Sequence, residues 1–213
     1  MRMLQTNHPA ADRRARILDA AEACFVRAGF HRTTMQDVAA EAGMSAGNLY
    51  RYFPSKHAIV AAISERDRRD AAESFSAMRE TPGDFMAAFA ELGRRHFEEE
   101  PREKSVLGLE IWAEATRDES FRALSAGFAA EIVDRMTALL DAAEQAGSAR
   151  PALDTRTLAT LICTLADGLV VRRAVLPDFD ASREIPPILS VIGALVKGTL
   201  PCRSPADLAE CAP

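Results

Sequence analysis

With 213 residues, 48% of them hydrophobic, the chain can bury a substantial core, as one domain or as a small head on a larger body. No long uninterrupted apolar run is present, so no membrane-spanning helix is expected, and the N-terminus MRMLQTNHPAADRR lacks the apolar stretch of a secretory signal. The net charge of −5 hides an asymmetry: residues 1–60 hold 8 basic and 5 acidic side chains, the remainder 18 and 26. A mildly basic end on an acidic body suits a protein that presents one end to nucleic acid.

Arg2 to Ala11 reads as a flexible arm. A first helix follows, with Ile17, Leu18, Ala21, Cys24, Phe25 and Ala28 at helical spacing until Gly29 stops it, and Phe30 anchors the turn. Thr34 stands three residues before Asp37, the spacing of a capping box. Met35, Val38, Ala39 and Ala42 then form one stripe, and Gly43 can take the left-handed conformation that ends a helix. Ser45 is placed to cap a second short helix in which Leu49 and Phe53 face inward. That leaves Ala46, Gly47, Asn48, Tyr50, Arg51 and Tyr52 mostly outward. Two helices joined by a glycine turn make a helix-turn-helix, whose second helix enters a major groove. Asn can pair with adenine and Arg with guanine, while Tyr, Ser, Thr and Lys suit phosphate oxygens. On spacing alone, an ordinary helical hairpin with a solvated face fits equally well.

After Pro54, Ser55 can cap a fourth helix running through Ile59, Val60 and Ile63 towards Met78; its charged middle, SERDRRDAAE, reads as a solvated face. Thr81-Pro82-Gly83 is a break too short to separate independent domains. Phe85, Met86, Phe89, Leu92 and Phe97 suggest a fifth helix, and Val106, Leu107, Ile111 and Trp112 a sixth after Pro101. Asp118 can cap a long seventh, with Phe121, Leu124, Phe128, Ile132, Met136 and Leu139 inside and Gly147 at its end. No segment alternates with a period of two, so no sheet is expected. Apolar residues nearly encircle the next helix, and Pro186 and Pro187 can begin the last one. Two such helices suit an isologous dimer through Leu161, Leu165, Leu169, Ile188, Ile192 and Leu195, unless both simply finish a monomer core. Residues 201–213 read as a tail.

The sequence offers little for catalysis. His8, His31, His57 and His96 are scattered, as are Cys24, Cys163, Cys202 and Cys211, and no metal-ligand spacing, phosphate loop or nucleophile elbow is present. Neither metal nor cofactor is expected. Phe85, Phe89, Trp112, Phe128, Met136 and Cys163 are instead expected to face a common interior, either as core residues of any helical bundle or as the lining of a mainly hydrophobic pocket. Trp112 between Glu110 and Glu114, and Asp167 as a buried counter-charge, suggest an amphipathic or cationic ligand.

The stretch TTMQDVAAEAGMSAGNLYRYFPSKHAI closely resembles the DNA-binding signature of the TetR family of bacterial transcriptional regulators, with its threonine pair Thr33-Thr34, its Ala-Gly-Met-Ser turn ending at Ser45, and its Leu-Tyr-x-Tyr-Phe-x-Ser-Lys run. The resemblance implies phosphate contacts for Thr34, Tyr50, Tyr52 and Lys56, base readout among Ala46, Gly47, Asn48 and Arg51, and a DNA-binding surface that also takes in Thr33 and Ser45. It further implies that the fourth helix links head to body and carries the conformational signal. One departure is Ala46, where many members carry Lys, Arg or Pro. LEIWAEATRDESFRALSAGF and ADGLVVRR resemble the C-terminal domain of members that include choline-responsive BetI-type repressors. The expected protein is all-α with about nine helices: a DNA-binding head (1–54), a ligand-binding and dimerisation body (55–200) and a tail. It would be a cytoplasmic homodimeric repressor on double-stranded operator DNA, released by a small-molecule effector. The alternative is an effector-insensitive regulator controlled by a protein partner.

Overall fold

The structure, a computed structural model, describes residues 9–80 and 85–200, which form nine α-helices and no strand. The expected arm before residue 9, the Thr81-Pro82-Gly83 break, Cys202, Cys211 and the tail lie outside the described residues. The head consists of α1 (Pro9–Ala28), α2 (Met35–Glu41) and α3 (Ala46–Tyr50), and α4 (Lys56–Glu80) leads from it into the body. The apolar stripe of α1 is buried throughout, from Ile17 to Phe25, against Val38 of α2, Leu49 of α3 and Ile59 and Ile63 of α4. Leu107 and Phe121, from the body, belong to the same core cluster. Head and body therefore share apolar contacts as well as a connecting helix.

The body holds α5 (Phe85–Arg94), α6 (Arg102–Ala115), α7 (Glu119–Gln145), α8 (Thr155–Val175) and α9 (Ala181–Val196). Helix α5 continues as a π-helical stretch, Arg95–Glu99, that ends before Pro101. Helices α6, α7 and α8 pack on one another, and α4 lies along α7. A lower core gathers Phe75, Phe85, Phe89, Met136, Leu140, Leu158, Ile162, Ile192 and Val196. A small third cluster of Phe97, Leu169 and Ile185 fastens the top of α9.

Helix α9 begins five residues before the prolines expected to start it, because Asp180 accepts the Ser182 N–H at 3.0 Å and caps it. Pro186 and Pro187 then sit inside the helix, where each removes a backbone donor. The carbonyls they leave, on Ser182 and Arg183, belong to exposed residues and can be solvated.

Candidate nucleic-acid interface

Local chemistry shapes the head's outer surface. Thr34 and Asp37 form the reciprocal capping box: the Thr34 N–H and hydroxyl donate to Asp37 Oδ2 at 2.8 and 2.7 Å, and Thr34 Oγ1 accepts the Asp37 N–H at 3.2 Å. These bonds, the side-chain one first, hold the Asp37 carboxyl below its usual range. Gly43 closes α2 at φ +67° with its N–H on Ala40 O, a conformation that would strain a residue with a Cβ. Ser45 then caps α3 by accepting the Asn48 N–H at 3.3 Å.

Helix α3 is short, and its direction is set by two anchors, Leu49 and Phe53, both buried in the head core. Their burial turns Gly47, Tyr50 and Arg51 to solvent, with Asn48 half-exposed beside them. Tyr50 is 53% exposed, which is unusual for an aromatic and leaves its hydroxyl and ring edge free to meet a partner surface. Ser45 is also exposed, while Ala46 and Tyr52 are half-buried and pack against the head core. Arg14 of α1 stacks on the Phe53 ring at 4.3 Å and donates to Tyr52 O, steadying the end of this segment.

Two expected DNA contacts need correction. Thr33 is buried, with its hydroxyl 2.9 Å from Gly29 O and 3.1 Å from Cys24 O, so it secures the α1–α2 turn instead of facing outward. The Lys56 ammonium donates to Phe30 O at 2.6 Å and His31 O at 3.3 Å, and lies 4.5 Å from the centre of the Phe30 ring. Desolvation there lowers its pKa, against the opposing field of Glu114. Thr34 stays exposed, but its own donors are committed to Asp37.

Behind the head lies a set of ties that the sequence reading missed. Glu110 of α6 accepts the Phe30 N–H at 3.3 Å. Glu114, one turn later and 6% exposed, meets His31 at 2.7 Å, and Asp118 faces His57 at 3.5 Å. Phe30 packs edge-on against Phe121, ring centres 5.0 Å apart. The two glutamates at a spacing of four, on one face of a short helix, were the available signal. The charged middle of α4, expected to be a solvated face, is half-buried at Arg66, Asp67 and Arg68. Arg66 pairs with Asp19 and Glu22 of α1, Asp67 with Lys104 of α6, and Arg68 with Glu131 of α7. This segment is a clamp between head and body.

The expected ligand residues divide between the core and the half-buried surface. Phe85 and Phe89 stack with ring centres 5.9 Å apart and, with Met136, fill the lower core. Trp112, Phe128 and Cys163 are half-buried, and Asp167, expected as a buried counter-charge, is exposed on α8. Burial, then the Asp167 charge, pushes the Cys163 thiol up to about 11. The carboxylates of Glu110 and Glu114 are occupied by the head, which removes the basis for a cation beside Trp112. Two concave sites among the described residues, of 340 Å³ beside Arg102 and Arg173 and of 440 Å³ beside Met86 and Lys197, include none of these seven residues.

The expected dimer residues also divide. Leu169, Ile192 and Leu195 are buried within the chain's own core, a correction, because α8 and α9 turn those positions towards the body. Leu165 and Ile188 are half-buried. Leu161 remains exposed, and with Val171 and Val175 it lies on one face of α8, while Val191 is exposed on α9.

Comparison with known proteins agrees with this architecture. Residues 17–63 match the family model for bacterial regulatory proteins of the tetR family, and residues 94–198 match that for the C-terminal part of BetI-type transcriptional repressors. The regulator UidR of Escherichia coli is 27% identical over 157 residues, covering 74% of this chain and 79% of UidR. The structure of Salmonella enterica GusR superposes with a TM-score of 0.77 at 25% identity, over 91% of this chain and all of GusR. A putative transcriptional regulator from Saccharomonospora viridis, solved in complex with choline, has the same fold, with a TM-score of 0.72 at 22% identity over 91% of this chain and 100% of that one.

Proposed function

The chain belongs to the TetR family of DNA-binding transcriptional regulators, and from that premise we propose that it is a cytoplasmic repressor that binds a palindromic operator as a homodimer and leaves it when a small molecule enters the body. The observation that carries this reading is the surface of α3: buried Leu49 and Phe53 fix a short helix whose Gly47, Asn48, Tyr50 and Arg51 are presented outward. Asn48 and Arg51 supply base readout, with Ala46 and Gly47 allowing close approach, while Ser45, Thr34, Tyr50 and Tyr52 border the phosphates.

The head, residues 1–54, is the reading unit, and residues 55–200 bind the effector and pair two chains. Exposed Leu161, Val171, Val175 and Val191 support pairing through α8 and α9, since a four-helix contact would remove this apolar face from water. The Saccharomonospora viridis regulator of the same fold, solved in complex with choline, supports a chain able to hold a small molecule. The clamp of Glu110, Glu114 and Arg66 supports a body whose rearrangement moves the head. One short reading helix per chain makes too few contacts for specific binding by itself, which favours two half-sites about one helical turn apart. Footprinting on DNA flanking the protein's own gene is the test. A symmetric protected site is expected, and a single unsymmetrical half-site at saturation would overturn the reading.

A further inference from the structure

The cavity that gathers positive charge lies between the π-helical end of α5, the start of α6 and the α8–α9 turn, and measures 340 Å³. Phe97, Leu176, Pro177 and Phe179 form its apolar walls, and Arg102 and Arg173 its charged side. Arg173 is 7% exposed, so its guanidinium has lost almost all its hydration. Its hydrogen bonds all go to neutral groups: His96 O at 3.3 Å, Ser105 Oγ at 3.4 Å, and Glu100 O. Arg102 likewise donates to backbone carbonyls, Arg173 O at 2.8 Å and Ala174 O at 2.7 Å. Among the described residues neither guanidinium has a carboxylate within ion-pair distance, although most other arginines of the body do.

Burying a guanidinium whose direct hydrogen bonds reach only carbonyls and a hydroxyl is costly. Desolvation presses the Arg173 pKa down, opposed by the fields of Glu100 and then Glu103, and the Arg102 charge adds a smaller push downward. Two acids also line the cavity. Asp180 is committed to the Ser182 N–H and hydroxyl at the start of α9, and Glu98 is exposed, so neither neutralises the pair. A bound anion would. Guanidinium forks match a carboxylate in geometry, and aromatic walls suit an apolar body. The volume lies near the lower end of the range for small-molecule pockets, about 300–1,000 Å³, which favours a small acid over a large conjugate.

The geometry points to a binding site for a small monocarboxylate with an apolar tail, its carboxylate held by Arg102 and Arg173 and its tail against Phe97 and Phe179. The assignment concerns ligand binding alone and stands independently of operator recognition. Octanoate is the probe, with octylammonium as the cation of equal length, titrated into the full-length protein by calorimetry at fixed ionic strength. Saturable octanoate binding is expected, about tenfold or more tighter than octylammonium, and weakened by a similar factor in Arg102→Gln, as loss of a charge-assisted hydrogen bond implies. Arg102 is exposed, so that variant should fold as the parent does; Arg173→Lys, which keeps the buried charge but loses the fork, should weaken binding as well. Three results would overturn the assignment: no saturable octanoate binding, equal binding of the two probes, or octanoate binding that survives Arg102→Gln.

Discussion

Glu114, buried in α6, reaches across to His31, an exposed residue of the α1–α2 turn, at 2.7 Å, while Glu110 one turn earlier holds the Phe30 N–H at 3.3 Å. Both contacts land on adjacent residues of one turn, and that turn also receives Lys56 from the start of α4. A shift of α6 along its axis would therefore move the α1–α2 turn, and with it the head that carries α3.

The first prediction concerns that linkage. In Glu110→Gln/Glu114→Gln the buried charge is gone and one partner is exposed, so thermal stability should change by no more than about 1 kcal/mol. The heads should nevertheless be held less firmly at one spacing, and operator affinity should fall about tenfold as the second half-site loses effective concentration. A band-shift titration checks this. Unchanged affinity would show the ties to be incidental.

A second prediction separates reading from scaffolding. Arg51→Ala or Asn48→Ala should relax preference at particular base pairs by roughly 1–3 kcal/mol while leaving the fold intact. Lys56→Gln should instead lower stability by about 1–2 kcal/mol, because its ammonium serves the Phe30 and His31 carbonyls. Its salt dependence of DNA binding should match that of the parent. A salt slope reduced by about one unit would place Lys56 on a phosphate after all.

Pairing of two chains is tested at exposed and buried positions of the same helices. Leu161→Glu/Val175→Glu alters side chains that are 37% and 57% exposed and should give a folded monomer by analytical ultracentrifugation. Ile192→Glu, in the core, should unfold the chain, at a cost of several kcal/mol for a buried unpaired charge. A dimer that persists in the double variant would move the interface off this face.

Two glycines at positive φ should respond differently to alanine. At Gly43, φ +67°, nothing lies within 4 Å of an added Cβ, so only left-handed strain of about 1–2 kcal/mol is expected. At Gly198, φ +65°, the Cβ would stand 2.4 Å from Arg150 O, whose residue is tied back by its N–H to Val196 O at 2.8 Å. The additional clash should make Gly198→Ala the costlier change by at least about 1 kcal/mol, read from urea unfolding.

Cys163 should be a slow nucleophile. With its pKa at about 11, its thiolate at pH 8 is on the order of one part in a thousand. In a Cys202→Ser/Cys211→Ser background, reaction with a disulfide reagent should accelerate about tenfold per pH unit from 8 to 10. The unfolded thiol ionises first as pH rises, so this group's share of stability is full below its ordinary pKa and is lost up to about 11. Rapid labelling at pH 7 would contradict the buried setting.

Relations within one or two turns were legible in the sequence. Thr34 with Asp37, Ser45 with Asn48, and Leu49 with Phe53 stand three or four residues apart, so helical geometry alone brings them together or puts them on one face. The all-α architecture followed from the same periodicity, and the outward set of Gly47, Tyr50 and Arg51 from its complement. Other features depended on which helix came to lie beside which. Glu110 and Phe30 are 80 residues apart, and no local pattern reveals that a carboxylate will end above one particular backbone N–H. Leu161 and Leu165 look alike in a nearly encircled helix, and only the packing of α6, α7 and α9 decides which stays in water. The exposed-looking charges of α4 became a clamp because α1, α6 and α7 each brought an opposite charge to them. Among the described residues Arg173 has no carboxylate within ion-pair distance for the same reason: burial and charge pairing are properties of the assembled neighbourhood, and the residue's own segment carries no information about either.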